Sequence, residues 1–159
     1  MATREYPERP IVGVGAIILD HSPDHSPDAR KVLLVRRGTE PNRGEWSLPG
    51  GAVQAGEKLQ EAVRREILEE TGLAVRVEEV VEVLDRIVRD EQGRVRFHYV
   101  LVDFLCRSEG GRLEAATDVT ETRWVSRPEL PQYGLRPETL RVVEKAFLVL
   151  QSPPAPAAG

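Results

Sequence analysis

Ile11 to Leu19 reads IVGVGAIIL, an apolar run without a single charged side chain. Lys31 to Arg36, KVLLVR, is a second run with charge only at its ends. A strand with one wet face alternates apolar and polar residues; a continuously apolar strand needs cover on both faces. Two such strands predict a sheet held between two layers. The other elements supply those layers. Lys58 to Thr71 reads as a helix stopped by Gly72, and Pro137 to Leu150 as a second, with Pro137 in its first turn and Leu140, Val143, Phe147 and Leu150 on one face. Strands, helix, strands, helix is not a βαβ repeat. It predicts an α/β fold, a mixed sheet sandwiched by helices.

The remaining segments follow from turn chemistry and alternation. Residues 1–10 are polar and read as a short arm. Residues 20–30 hold a tandem repeat, His21-Ser22-Pro23-Asp24 and His25-Ser26-Pro27-Asp28, rich in turn formers and read as an exposed loop insertion rather than a metal site. Gly38 to Gly44 is loop. Trp46 to Val53 is a short strand broken at Pro49-Gly50-Gly51. Leu73 to Arg89 supports one or two strands, Glu91-Gln92-Gly93 a turn, Val95 to Cys106 the most strand-like stretch, and Arg123 to Val125 a short strand. Residues 1–150 are read as one domain and 151–159, rich in Pro and Ala, as a disordered tail. Gly13-Val14-Gly15 lies inside a strand and opens no helix, so it fails the context of a dinucleotide fingerprint. Close approach of a neighbouring group is the better reason for those glycines.

Composition removes several classes. With 22 basic and 26 acidic residues the net charge is -4, which leaves no positive excess to hold long nucleic acid by its phosphates. One cysteine, Cys106, excludes a disulfide framework and a CxxC metal site, and it is read as a small buried apolar residue. No apolar run reaches the ~18–20 residues of a membrane span. The expectation is a soluble, cytoplasmic protein with a small-molecule ligand, no long nucleic acid and no membrane.

The chemistry concentrates in Gly51 to Leu73, GAVQAGEKLQEAVRREILEETGL. On a wheel of ~100° per residue, Leu59, Ala62, Val63 and Ile67 form the core stripe. Glu66 and Glu70 fall within it and Glu69 at its edge, spaced i, i+3 and i+4, so their carboxylates can converge. Acids facing inward lose hydration and repel each other. Arg64 and Arg65 offset only part of this. A divalent cation with oxygen ligands, Mg²⁺ or Mn²⁺, is one remedy, and a salt-bridged surface patch is the other. Glu57 either complements the helix dipole or adds a fourth oxygen. Gly50-Gly51 permits a tight bend beside the helix.

This segment resembles the Nudix box: a glycine, five residues, a glutamate, seven residues, then Arg-Glu-aliphatic-any-Glu-Glu-any-Gly-aliphatic. Gly51, Glu57, Arg65, Glu66, Ile67, Glu69, Glu70, Gly72 and Leu73 meet all nine fixed positions. The resemblance implies an α/β/α sandwich with a central mixed β-sheet. It also implies Mg²⁺-dependent hydrolysis of a nucleoside diphosphate linked to another group. By position, Glu66, Glu69 and Glu70 are implied metal ligands, with Glu57 assisting. Glu69 is implied to orient or deprotonate water, and Arg65 to hold a carboxylate. A further acid is expected before a short strand ending in Trp; Asp118 holds that place ahead of Trp124, with Glu121 as the neighbouring alternative.

Other residues carry two readings each. Of Arg36 and Arg37, on alternate sides of a strand end, one is expected to meet substrate phosphate; Gly50 and Gly51 line the same bend. Trp46 is read as packing. Phe97 and Tyr99 face one way and His98 the other, with His98 read as a packed strand residue. Arg86 and Arg89 suit phosphates or a dimer surface, so a homodimer stays open. The proline that marks ADP-ribose hydrolases shortly past the box is missing, since none occurs between Pro49 and Pro128. The tyrosine of dinucleoside-polyphosphate hydrolases is missing too. Two substrate groups stay open: ADP-ribose or another nucleotide sugar, and a nucleoside triphosphate, oxidised or not. A non-catalytic nucleotide sensor is the rival reading.

Overall fold

A computed structural model describes residues 4–20, 30–39, 42–114 and 119–151. In chain order the elements are β1 (Ile11–Leu19), β2 (Lys31–Arg37), β3 (Trp46–Ser47), β4 (Gly50–Ala52), α1 (Leu59–Thr71), β5 (Leu73–Arg89), β6 (Val95–Gly111), β7 (Val119–Ser126), a 3-10 segment (Arg127–Tyr133) and α2 (Pro137–Gln151). One sheet carries all the strands, in the order β3-β2-β1-β6-β5, with β4 beside β1 and β7 beside β2. β1 and β6 run parallel and the other pairs are antiparallel, so the sheet is mixed as expected.

Both faces of β1 and β2 are covered. Val14, Ala16, Ile18 and Leu33 join Ala62, Val63 and Ile67 of α1 in one core. Ile17, Leu19, Val32 and Leu34 join Val142, Val143, Ala146 and Phe147 of α2 in the other. Residues adjacent in sequence thus serve opposite layers, which is why no polar residue interrupts either run. Each fully buried Ile or Leu contributes about 1.5–3 kcal/mol. Cys106 is buried in the α1-side core, and burial pushes its thiol up to about 12. Leu59, placed on the core stripe by the wheel, is instead 37% exposed at the helix start.

The end of α1 sets the site against the sheet. Gly72 takes the left-handed conformation and donates its N–H to Leu68 O. Thr71, fully buried, donates to Ile67 O and accepts from the Leu73 N–H, so the helix turns directly into β5.

Several elements exceed their sequence reading. β5 is one strand of 17 residues, and register shifts around Val77 and Val80 blur its alternation. β6 runs on to Gly111 and β7 spans Val119–Ser126, because pairing with β5 and β2 extends both. The 3-10 segment follows from Pro128 and Pro131, which suit short tight turns, and it buries Leu130. The polar arm lies along the β5–β6 hairpin: Tyr6 donates its N–H to Arg96 O and its hydroxyl to Asp90. The His-Ser-Pro-Asp repeat and residues 152–159 lie outside the described residues. No described helix is long and apolar enough to cross a membrane.

Candidate active site

The acids of α1 emerge beside β4, and Arg65 organises them. Its Nε and Nη2 donate to the two oxygens of Glu57 at 2.7 and 2.9 Å. Its Nη1 donates to Glu66 at 2.9 Å and to Glu69 at 3.2 Å, and Nη2 also reaches Ala52 O at 3.1 Å. One planar guanidinium therefore ties the helix start, the helix middle and β4 together. These bonds hold the Glu57 carboxyl down at about 2 and push the Arg65 guanidinium up. Glu57 also accepts the Gln54 N–H, which shapes the turn into the helix.

Sequence reasoning left Arg65 only part of this neutralising work; it touches three of the four glutamates. The fourth, Glu70, accepts the Gly50 N–H at 3.2 Å. Glu66 is tucked against Gly51, so closely that any Cβ there would overlap its carboxyl group. This is the physical reason for a glycine at position 51. The side chains of Glu57 and Glu66 are 13% and 15% exposed and that of Glu69 is 59% exposed, so Glu69 is the acid that faces solvent. Among the described residues no group of three acids, histidines or cysteines stands ready-made to hold a metal. Of the three acids expected to converge, Glu66 and Glu69 thus meet on Arg65 and Glu70 turns to the Gly50 N–H.

The donor chemistry nonetheless suits a hard cation. The four carboxylates offer only oxygen, one guanidinium is shared among three of them, and two line the Gly50-Gly51 bend. Asp118, the remaining acid of the sequence reading, lies outside the described residues. Its neighbour Val119 lines a small cavity of about 80 Å³ together with Glu70, Gly50 and Arg37. Glu121, the alternative, is paired with Arg36 at 3.1 Å and Arg123 at 3.5 Å.

On the other side of β4 opens a cavity of about 450 Å³, in the range of small-ligand sites. Gly50, Gly51 and Ala52 form the wall between it and the acids. Arg37 borders both cavities, whereas Arg36 lines neither and donates to Gly44 O and Glu121. Of the arginine pair, Arg37 is the one that lines the cavities. Phe97 and Tyr99 line the large cavity with their rings within 12° of parallel. His98, on the opposite side of β6, does not line it. Trp46 packs edge-on against Tyr133 and Arg89 donates to Gly93 O, so neither faces a ligand.

Gly13 and Gly15 form part of the cavity floor. A Cβ on Gly13 would come within 2.9 Å of Leu101, and one on Gly15 would overlap the Asp103 carboxylate. Close approach is therefore tightest at Gly15 and milder at Gly13, where only the Leu101 methyl end is met. Sequence reasoning did not single out Asp103, Glu45, Arg136 or Thr139, which line the cavity, nor Arg4 and Glu5 of the arm. For Asp103 a signal existed. It is an acid on the same side of β6 as Leu101 and Leu105, in the most strand-like stretch of the chain.

With this geometry in place, the comparisons with known proteins agree on the class. The NUDIX domain family matches residues 9–146, and the chain belongs to that family. It is 36% identical over 110 residues to an ADP-ribose pyrophosphatase of Methanocaldococcus jannaschii, covering 69% of this chain and 63% of that protein. It is 33% identical over 120 residues to the human 8-oxo-dGDP phosphatase NUDT18, covering 73% of this chain and 34% of that protein. The chain thus spans less than two thirds of the length of either relative. Among solved structures, a MutT NUDIX hydrolase from Burkholderia pseudomallei superposes with a TM-score of 0.70 at 30% identity, covering 87% of this chain and 98% of that one. Members of the family generally use divalent metal ions and act on small nucleotides.

Proposed function

We propose that the chain is a metal-dependent pyrophosphohydrolase that cleaves the phosphoric anhydride of a small nucleotide. The single observation that carries this reading is the Arg65-centred array of Glu57, Glu66 and Glu69, with Glu70 on the Gly50 N–H, at the wall of a nucleotide-sized cavity. Glu66, Glu69 and Glu70 are the proposed ligands of Mg²⁺ or Mn²⁺, with Glu57 and Asp118 contributing oxygens directly or through water. When bound, the cation shields the diphosphate and lowers the pKa of a coordinated water. The chain supplies the rest. Arg65 keeps Glu57 ionised and holds both Glu57 and Glu66 aimed. Glu69, the exposed acid, accepts a proton from the attacking water. Arg37, at the border of both cavities, holds phosphate oxygens. The Gly50-Gly51 backbone lets the phosphates approach closely, and the large cavity takes the rest of the ligand. A single cysteine, buried, suits a reducing compartment, and the cytoplasm is the proposed setting.

Two substrate groups fit: ADP-ribose or another nucleotide sugar, after the first relative's name, and an oxidised or normal nucleoside di- or triphosphate, after the second's. The test is product analysis with Mg²⁺ and a mixed panel. AMP plus ribose 5-phosphate assigns the first group. A nucleoside monophosphate plus phosphate or pyrophosphate assigns the second. No product from any member, with nucleotide binding retained, replaces the enzyme with a nucleotide sensor.

A further inference from the structure

We propose that Asp103 is the specificity-determining residue of the large cavity: its carboxylate, lying across Gly15 on the cavity floor, accepts hydrogen bonds from a pair of neutral donors on the nucleotide's non-reacting end. This rests on the nucleotide reading above and names the part of the ligand that the cavity recognises.

Register places the group. β6 lies parallel to β1 with Asp103 opposite Gly15, and both point to the α2 side, where the cavity opens. Because Gly15 has no side chain, the carboxyl occupies the space a Cβ would fill. Three polar residues are buried among the described ones. Thr71 donates to Ile67 O, and Thr139 accepts from Arg86 at 3.3 Å. Asp103, 7% exposed, makes no hydrogen bond. Its oxygens are not among the buried side-chain atoms left without a partner, so they stay accessible from the cavity that Asp103 lines. Here the remaining opening is to the cavity, so the partner that fits comes from a ligand.

The surroundings define that partner. Arg86 lines the same cavity and acts on Asp103 only through space; its Nη2 is directed to Glu138 and Thr139, and its buried Nε has no partner. Arg37 and Arg136 also line the cavity, with Arg136 tied to Glu45 at 2.7 Å. A cationic ligand group would meet these arginines, so the donors that suit Asp103 are uncharged. The parallel rings of Phe97 and Tyr99 offer an apolar wall suited to a flat or ring-shaped group. Two parts of a nucleotide present paired neutral donors: the N–H and NH₂ of a guanine edge, and the vicinal hydroxyls of a pentose.

The experiment measures Kd by titration calorimetry, without catalytic metal so that turnover does not intervene, for wild type, Asp103→Asn and Gly15→Ala. The probes are dGDP, dIDP (which lacks the exocyclic amine), ADP-ribose and its deoxyribose analogue lacking the terminal 2-hydroxyl. A paired donor contact corresponds to roughly 10- to 100-fold in affinity. If Asp103 reads the base, wild type prefers dGDP to dIDP by that factor and Asp103→Asn erases the preference. If it reads the sugar, the same contrast appears between ADP-ribose and its deoxy analogue. Gly15→Ala, which displaces the carboxylate without changing it, gives the same loss. Wild-type affinities for all four probes in Asp103→Asn overturn the proposal, as does failure of the wild type to bind any of them. A protein that binds with these contrasts yet hydrolyses nothing would refute the enzyme reading and leave the role of Asp103 standing.

Discussion

Negative charge is handled in opposite ways on the two sides of β4. On the α1 side Glu57, Glu66 and Glu69 share one guanidinium, and Glu57 is held down at about 2. On the α2 side Asp103 is buried without a hydrogen bond and its carboxyl is pushed up to about 6, mainly by lost hydration, with Glu82 adding to the shift and Arg86 opposing it. The first arrangement keeps Glu57 ionised and gathers Glu66 and Glu69 on the same guanidinium, where the proposed reaction would use them. The second leaves one carboxylate without a protein hydrogen bond at the floor of a cavity. An acid's neighbours, more than its identity, set which role it takes.

The comparison breaks most sharply at the acids. Glu70→Gln or Glu66→Gln is expected to lower kcat by about 10³-fold or more while leaving the fold intact, since a transition-state contact is removed without a change of volume. Turnover assays beside thermal melts decide it. Normal turnover in both variants would remove these residues from the reaction. Without metal, less crowding of like charge is expected to leave the melting temperature equal or higher.

Arg65→Lys comes next. Lysine keeps the charge but has no fork to bind Glu57, Glu66, Glu69 and Ala52 O together. Turnover is expected to fall by about 10- to 100-fold, the range lost when a group that orients metal ligands is replaced. Glu57 should also return toward the ordinary carboxylate range. In the wild type the Glu57–Arg65 pairing stabilises the fold above the ordinary glutamate pKa, and this contribution disappears as pH falls toward about 2. Arg65→Lys should therefore differ most from wild type at neutral pH and converge with it in acid. Carboxylate NMR titration and acid unfolding curves check both statements.

At Asp103 the effect on turnover gives way to one on stability. Its raised pKa means that the folded state binds the proton more tightly than the unfolded chain does. The associated stability is present below the ordinary aspartate range and lost as pH rises through about 6. Asp103→Asn removes that loss. Relative to wild type, its unfolding free energy should rise by about 3 kcal/mol between acid and mildly alkaline pH, following ~1.4 kcal/mol per unit of pKa shift. A flat difference across that range, read from urea unfolding, would mean that burial does not penalise the carboxylate.

Much of this was legible in the chain. The unbroken apolar runs of β1 and β2 had only one solution, a sheet covered on both faces. The nine box positions named the acids, and Gly13 and Gly15 were legible as close approaches. Other features were not. The alternation of β5 is interrupted by bulges, so its full length emerges only against β6. Nothing local told Arg36 from Arg37; pairing with β7 sends one to Glu121 and leaves the other at the cavities. Asp103 stood in plain view, yet an acid in a strand becomes informative only when its strand is known to face a cavity.

The sequence by itself determined the layers, the carboxylate helix and its stop at Gly72, because periodicity, glycine conformation and burial are local in origin. Tertiary structure alone decided which partner each charge meets. Arg65 reaches Glu57, eight residues earlier and outside the helix, Glu70 finds the Gly50 N–H, and Asp103 lies over Gly15 only because β6 docks parallel to β1 in one register. Hydrogen bonds and charge pairs act over a few ångströms, and distances of that size between residues far apart in the chain exist only after the sheet has formed.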